Sequence, residues 1–193
     1  MKNSYLETIK SIDGVLYNMP YHQKRYESVL DSLCVEKKED LAQYLNPPKY
    51  GFYRCRLVYT PQSIEVTYHE YKKRDINSLK LVFDNDIEYS FKSTCRDKID
   101  ELYAKKEDAD DILIIKNLLV SDTSIANIAF YSNGQWITPK TPLLKGTTRA
   151  RLLDEGKIIE ADIKVQDIRN FSQVALLNAM VDFDILDNCE FLI

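Results

Sequence analysis

VSDTSIANIAFYSNGQWITPKTPLLKGTTR, residues 120–149, decides how the rest of the chain is read. A carboxylate, Asp122, stands just ahead of Thr123-Ser124 and Asn127. Apolar runs on either side of Asn133-Gly134 predict a hairpin, because that dipeptide tolerates the positive-φ pair of a tight turn. Gly146-Thr147-Thr148 then opens a helix. The first amides of a helix have no internal partners and carry partial positive charge; a glycine lets an anion approach the backbone, and threonine hydroxyls add donors. Each piece has a plainer meaning on its own. A threonine at a helix start is usually a cap, and Ser121-Asp122-Thr123 can be an Asx turn. In this order the pieces suit a cradle for a ligand carrying a phosphate and a ring nitrogen.

Thirty residues upstream lies Lys92, in SFKSTCRDKIDEL. Tyr89 and Phe91 give it apolar company, and desolvation disfavours an ammonium there. A lysine made neutral can bond an aldehyde. Lysines are common in this chain, so composition alone does not single out Lys92.

The chain has 193 residues, 45% hydrophobic and 29% charged, which is enough for one ordinary domain or two small lobes sharing a core. A net charge of −4 argues against a broad nucleic-acid-binding face. The basic cluster at residues 71–74 is soon followed by Asp75, Asp84 and Asp86, as in a solvated turn. No apolar run has the length of a signal segment or a membrane span. Four cysteines without a CxxC pair and two histidines give no zinc pattern. Reduced thiols in a cytoplasm fit this set, and no metal is expected.

Residues 5–10 and 15–17 flank Asp13-Gly14, another hairpin signal. Residues 21–33 carry Tyr26, Val29, Leu30 and Leu33 at three- and four-residue steps, predicting an amphipathic helix. A short helix over 39–45 stops at Pro47-Pro48. Strands are predicted over 51–59, 63–70 and 78–83; in the first, Tyr53, Cys55, Leu57 and Tyr59 alternate with Arg54, Arg56 and Val58. A helix over 95–105, strands over 113–116, 125–131, 135–138, 157–165 and 174–180, and a helix over 147–153 complete the reading. Strands lead and helices intrude irregularly, so the class is α+β rather than doubly wound. The expected lobes are residues 1–72, a small α+β lobe, and residues 73–193, a lobe of pseudo-barrel strands carrying Lys92 and the Gly-Thr-Thr turn.

Taken together, these residues resemble the class IV aminotransferases, pyridoxal-phosphate enzymes of fold type IV. The order is a lysine, a helix and strand, a carboxylate-x-Ser-x-x-Asn run, a hairpin, then Thr-Pro-Leu-Leu-x-Gly-x-Thr-Arg. Leu6-Glu7-Thr8-Ile9-Lys10, His22-Gln23-Lys24-Arg25 and Leu177-Asn178-Ala179-Met180 also match, so the resemblance spans nearly the whole chain. It implies pyridoxal 5'-phosphate as cofactor, bonded through Lys92, which also moves the substrate Cα proton. It implies Asp122 as the partner of the pyridine nitrogen, where the family usually has glutamate. Arg25, Gly146, Thr147 and Thr148 would hold the phosphate, with Ser124 and Asn127 as polar neighbours of the ring.

Two activities compete within that family. Aminodeoxychorismate lyases resemble this chain in a threonine near the reacting carbon, matched by Thr8, and in an arginine four residues after the lysine, matched by Arg96. Branched-chain aminotransferases typically have a tyrosine five residues after the lysine, where this chain has Asp97. The expectation is therefore a lyase acting on a small amine substrate, with Lys92 and Thr8 as its catalytic pair. The alternatives are a D-amino acid or branched-chain transaminase, or a family fold without turnover. The family also implies a homodimer, and it usually has a longer segment ahead of the strand matched by residues 5–10.

Overall fold

The structure, a computed structural model, describes residues 4–193. The chain divides into two compact units, Met1–Lys73 with Phe91–Cys95, and Arg74–Ser90 with Arg96–Ile193.

In the first unit, β1 (Tyr5–Ile12) turns into β2 (Val15–Leu16) through Asp13 and Gly14, with φ of 48° and 80°. These are the two positive φ values the hairpin signal required. Helix α1 (Met19–Ser32) follows, then β3 (Phe52–Thr60) and β4 (Ser63–Glu70), giving a four-stranded antiparallel sheet in the order β2-β1-β3-β4. Alternation along β1 buries Tyr5, Glu7, Ile9 and Ser11. α1 lays Tyr26, Val29 and Leu30 on that face, against Leu57 and Tyr59 of β3. Leu33, expected on the apolar stripe, lies beyond the last turn and is 38% exposed. The second helical segment is a single 3-10 turn, Leu41–Tyr44.

Phe91–Cys95 belongs to this first unit, whereas residues 73–193 were expected to carry Lys92. Three backbone contacts explain it. The Leu6 amide donates to the Lys92 carbonyl at 2.9 Å, Tyr5 and Ser93 form an antiparallel bridge, and the Thr94 amide donates to Ser4 at 3.0 Å. Lys92 thus extends the edge of β1.

The second unit runs through β5 (Ser78–Phe83), α2 (Asp97–Tyr103), β6 (Asp111–Lys116), β7 (Leu119–Thr123), β8 (Asn127–Ser132), β9 (Gln135–Pro139), α3 (Thr147–Asp154), β10 (Ile159–Ala161), β11 (Gln173–Asn178), β12 (Asp182–Leu186) and β13 (Glu190–Leu192). Its mixed sheet has the order β10-β9-β8-β7-β6-β5-β13, with β11 pairing β8 and β12. The pairs β5–β6, β5–β13 and β9–β10 are parallel; the rest are antiparallel. The fold is α+β, as the irregular order of elements implied. Ile112, Leu113, Ile114 and Ile115 of β6 are all fully buried, the continuous apolar run of a strand covered on both faces.

Residues 157–165 hold only the three-residue β10, because the chain turns into a 3-10 segment at Val165–Asn170. Ser121-Asp122-Thr123 is strand rather than turn. β12 and β13 were not expected at all.

Candidate active site

Within the first unit the site residues stand on β1, α1 and the 91–95 segment. Glu7 is fully buried on the inward face of β1. Arg25, on α1, donates to it twice, from Nε to Oε1 at 2.8 Å and from Nη2 to Oε2 at 2.5 Å. His22, one turn earlier and also fully buried, places Nδ1 2.6 Å from Oε2. Burial alone would push the Glu7 carboxyl up, but the Arg25 charge and the His22 and Arg25 hydrogen bonds outweigh it and hold the acid down at about 2. Burial pushes the His22 imidazole below its usual range, against the opposing pull of Glu7. A neutral ring facing a carboxylate must carry its proton on Nδ1. Nε2 is then an acceptor, and it is buried without a hydrogen-bond partner.

Sequence reasoning singled out Arg25 but did not group Glu7 and His22 with it. The signal was present: strand alternation puts Glu7 on the buried face with Tyr5 and Ile9, and a carboxylate there needs a cation. Thr8, the next residue, points to the opposite face of the sheet and is half-buried. Lys92 is also half-buried, and Phe91 beside it sets its ring edge-on to Tyr5, with 6.0 Å between centroids.

In the second unit Asp122 and Asn127 are paired across β7 and β8. The tight turn between them is closed by Thr123, whose amide donates to the Ala126 carbonyl at 2.9 Å and whose hydroxyl accepts the Ala126 amide at 3.0 Å. Asn127 Nδ2 donates to Asp122 Oδ1 at 2.8 Å and to the Leu144 carbonyl at 2.8 Å. The Leu144 amide donates to Asp122 Oδ2 at 2.9 Å. Burial pushes the Asp122 acid up to about 6 despite these bonds and the more distant Arg149 charge. Its surroundings are thus short of positive charge. A carboxylate has about four acceptor sites, so capacity remains for one more cationic donor.

The 140s loop then delivers α3. Gly146 is its N-cap, with no side-chain cap bond, and Thr147 and Thr148 form the first turn. Both threonines are buried, and Thr148 Oγ1 has no hydrogen-bond partner. A Cβ at Gly146 would lie 2.1 Å from Asn127 Oδ1, so any larger residue there must displace Asn127. Arg149, missed in the sequence, is 4% exposed and anchors the turn by donating to the Pro139 carbonyl at 2.8 Å and to Glu160 at 2.6 Å. Ser124 is buried, and its carbonyl accepts Arg96 Nη2 at 2.9 Å. Arg96 also lies 3.5 Å from Asp100.

Asp122, Asn127, Gly146, Thr147 and Thr148 therefore form one connected cluster, with Ser124 on its turn. Arg25 belongs to the Glu7 cluster of the other unit. Among the described residues no group of three His, Cys, Asp or Glu is placed to hold a metal ion, and no helix is long and apolar enough to cross a membrane.

The sequence profile of Amino-transferase class IV matches residues 4–183. The chain belongs to this family. It is similar to an uncharacterized protein of Haemophilus influenzae, 38% identical over 180 residues that make up 90% of this chain and 96% of that one. A crystal structure from Haemophilus somnus, named provisionally as a 4-amino-4-deoxychorismate lyase, superposes with a TM-score of 0.85 at 36% identity, covering 93% of this chain and 97% of that one. The PLP-bound form of a hypothetical aminotransferase from Mycobacterium tuberculosis shares the fold, with a TM-score of 0.80 at 15% identity over 96% of this chain and 80% of that one. This class IV amino-transferase fold belongs to an enzyme family whose members are aminotransferases and lyases.

Proposed function

We propose that the chain is a pyridoxal-phosphate enzyme acting as an aminodeoxychorismate lyase, which converts 4-amino-4-deoxychorismate to p-aminobenzoate and pyruvate in cytoplasmic folate synthesis, as a homodimer. One observation carries the cofactor: the buried, unpartnered Thr148 hydroxyl at a glycine-capped helix start, in the same cluster as a buried carboxylate short of positive charge. A phosphate satisfies the first and a protonated ring nitrogen the second.

On this reading Gly146, Thr147, Thr148 and the first amides of α3 hold the phosphate. Arg25 adds a guanidinium whose orientation Glu7 fixes. Asp122 would pair with the ring nitrogen, with Asn127 keeping its carboxylate in place and Ser124 shaping the turn beside it. Lys92 would bond the cofactor aldehyde and, once free, would take the proton from the amine-bearing carbon. The bound pyridinium supplies an electron sink, which is the chemistry no side chain here can provide. Thr8 gives a proton to the departing enol-pyruvyl group, and formation of the aromatic ring drives the loss. The lyase assignment draws on the 36% identity with the Haemophilus somnus protein.

Transamination is the second reading, because the Arg96 hint for a lyase loses force. The residue that suggested a lyase is engaged with Ser124 and Asp100. For that reaction Lys92 would be the group that returns the proton.

The purified protein should be yellow, with borohydride fixing the colour on Lys92, and should release pyruvate and p-aminobenzoate from aminodeoxychorismate. Protein that stays colourless with added pyridoxal phosphate refutes the cofactor. Colour without those products, but with amino transfer from an amino acid panel, moves the assignment to a transaminase.

A further inference from the structure

The sheet of the first unit has two faces. α1 covers the one bearing Tyr5, Glu7, Ile9, Leu57 and Tyr59. The register defines the other. Lys10 stands opposite Arg54, which stands opposite His69; one row along, Thr8 stands opposite Arg56, which stands opposite Thr67. Directly opposed residues lie about 5 Å apart between Cβ atoms, and like charges so placed repel. Lys10 and Arg54 form such a pair. None of the ion pairs among the described residues involves Lys10, Arg54 or Arg56.

Acidic residues are not scarce: the chain has 30, against 26 Lys and Arg. Yet Glu65, the one carboxylate of β4 on this face, is opposite Val58, a row away from Arg56, and Glu70, opposite Tyr53, belongs to the other face. Lysines and arginines often protect exposed sheet edges. That does not explain Arg54 and Arg56, which lie on β3, paired on both sides by β1 and β4. Lys10 is further held between two rings, with Nζ 5.3 Å from the centroid of Tyr17 and 5.5 Å from that of Phe52. The face therefore holds uncompensated cations in fixed rows, beside the hydroxyls of Thr8 and Thr67.

We propose that this face binds a small dicarboxylate, with Arg54 and Arg56 as its two anchors. Two residues along a strand place their Cα atoms about 7 Å apart. Each guanidinium presents a planar fork matched to one carboxylate. A ring acid with a second carboxylate on an ether arm fits two such forks. A simple amino acid, with one carboxylate, engages only one. Lys10 adds charge to the Arg54 row, and Thr8 lies next to Arg56, where a reacting group would sit. The identity of the dianion as the lyase substrate rests on the proposed function; the face itself does not.

The test uses the purified full chain and two probes without an amine, 3-(carboxymethoxy)benzoate and benzoate, titrated calorimetrically. The dianion should bind at least about tenfold more tightly than benzoate, and Arg54→Ala and Arg56→Ala should each remove about that factor. Both variants should melt no lower than the parent, since each relieves repulsion. Equal affinity for the two probes, unchanged dianion affinity in the double variant, or a clear fall in melting temperature overturns the proposal. Visible absorbance of the cofactor, read on the same samples, separates the two readings. Dianion selectivity without absorbance leaves this face standing and defeats the cofactor assignment; absorbance without selectivity does the reverse.

Discussion

Asn127 ties Asp122 to the loop that leads into α3: one side-chain nitrogen donates both to the Asp122 carboxylate and to the Leu144 carbonyl, each at 2.8 Å. The carboxylate is buried and its acid form is favoured up to about 6. A folded-state value raised above the unfolded 3.8 means that the stabilising protonated form is fully available below pH 3.8 and is lost as pH rises through about 6. Across that window the cofactor-free protein should lose about 3 kcal/mol of stability from this group. Asp122→Asn should flatten the slope in denaturant melts between pH 4 and 7. If bound pyridoxal phosphate restores positive charge there, the slope should also flatten in the loaded protein, and in the variant the colour should survive while turnover falls.

Glu7 has the opposite sign. Its acid is held at about 2, against an ordinary 4.5. Its contribution is therefore fully present above pH 4.5 and is lost as pH falls through about 2. Removing one member of a buried ion pair leaves the other uncompensated, at roughly 3–5 kcal/mol. Glu7→Ala should thus lower stability at pH 7 by about that much. Glu7→Gln should retain part of it while weakening cofactor affinity through a loosened Arg25. A Glu7→Gln protein with parental stability and affinity would show that the Arg25 contacts are incidental.

How far these sites could be read in the sequence depended on the range of the forces that make them. The turns at Asp13-Gly14 and Asn133-Gly134 are set by local backbone geometry, and all four residues have positive φ. β3 and β4 are set by alternation and lie within a residue of their expected bounds. β7 failed this test because Ser121-Asp122-Thr123 is polar; it is a strand because Asn127 and the Leu144 amide, reached only after the chain has returned, satisfy the carboxylate. β13 was invisible for the same reason, since its pairing is parallel to β5, more than a hundred residues earlier. The order of Lys92, Asp122 and Gly146-Thr147-Thr148 was legible as a family pattern, whereas the grip of Glu7 on Arg25 needed a strand and a helix to meet.

Gly146 couples the first turn of α3 to the Asp122 carboxylate through Asn127. Its φ is −69°, so the backbone has no need of glycine. The need is steric, because a Cβ would come within 2.1 Å of Asn127 Oδ1 and 3.3 Å of its Cγ. Gly146→Ala must push Asn127 away from Asp122, at about 1–3 kcal/mol for the overpacking. The double variant Gly146→Ala, Asn127→Ala should recover much of that loss, because the obstructing atoms are gone. Chemical denaturation of the two single variants and the double measures this coupling, and strict additivity would contradict it.

Thr148→Val separates a structural hydroxyl from one reserved for a ligand. Thr148 is 1% exposed and its Oγ1 lacks a partner. A buried hydroxyl without a hydrogen bond costs roughly 1–3 kcal/mol, and valine has nearly the same shape without that group. The cofactor-free variant should therefore unfold at a higher denaturant concentration than the parent. Its affinity for pyridoxal phosphate, read by absorbance titration, should instead fall by about tenfold, the loss of one hydrogen bond to a charged group. A ligand-independent loss of stability would make the hydroxyl an ordinary helix cap. A gain in stability with unchanged affinity would place the phosphate elsewhere. Only the crossed result, firmer without the cofactor and weaker toward it, matches a turn whose first helical residues are built to meet an anion.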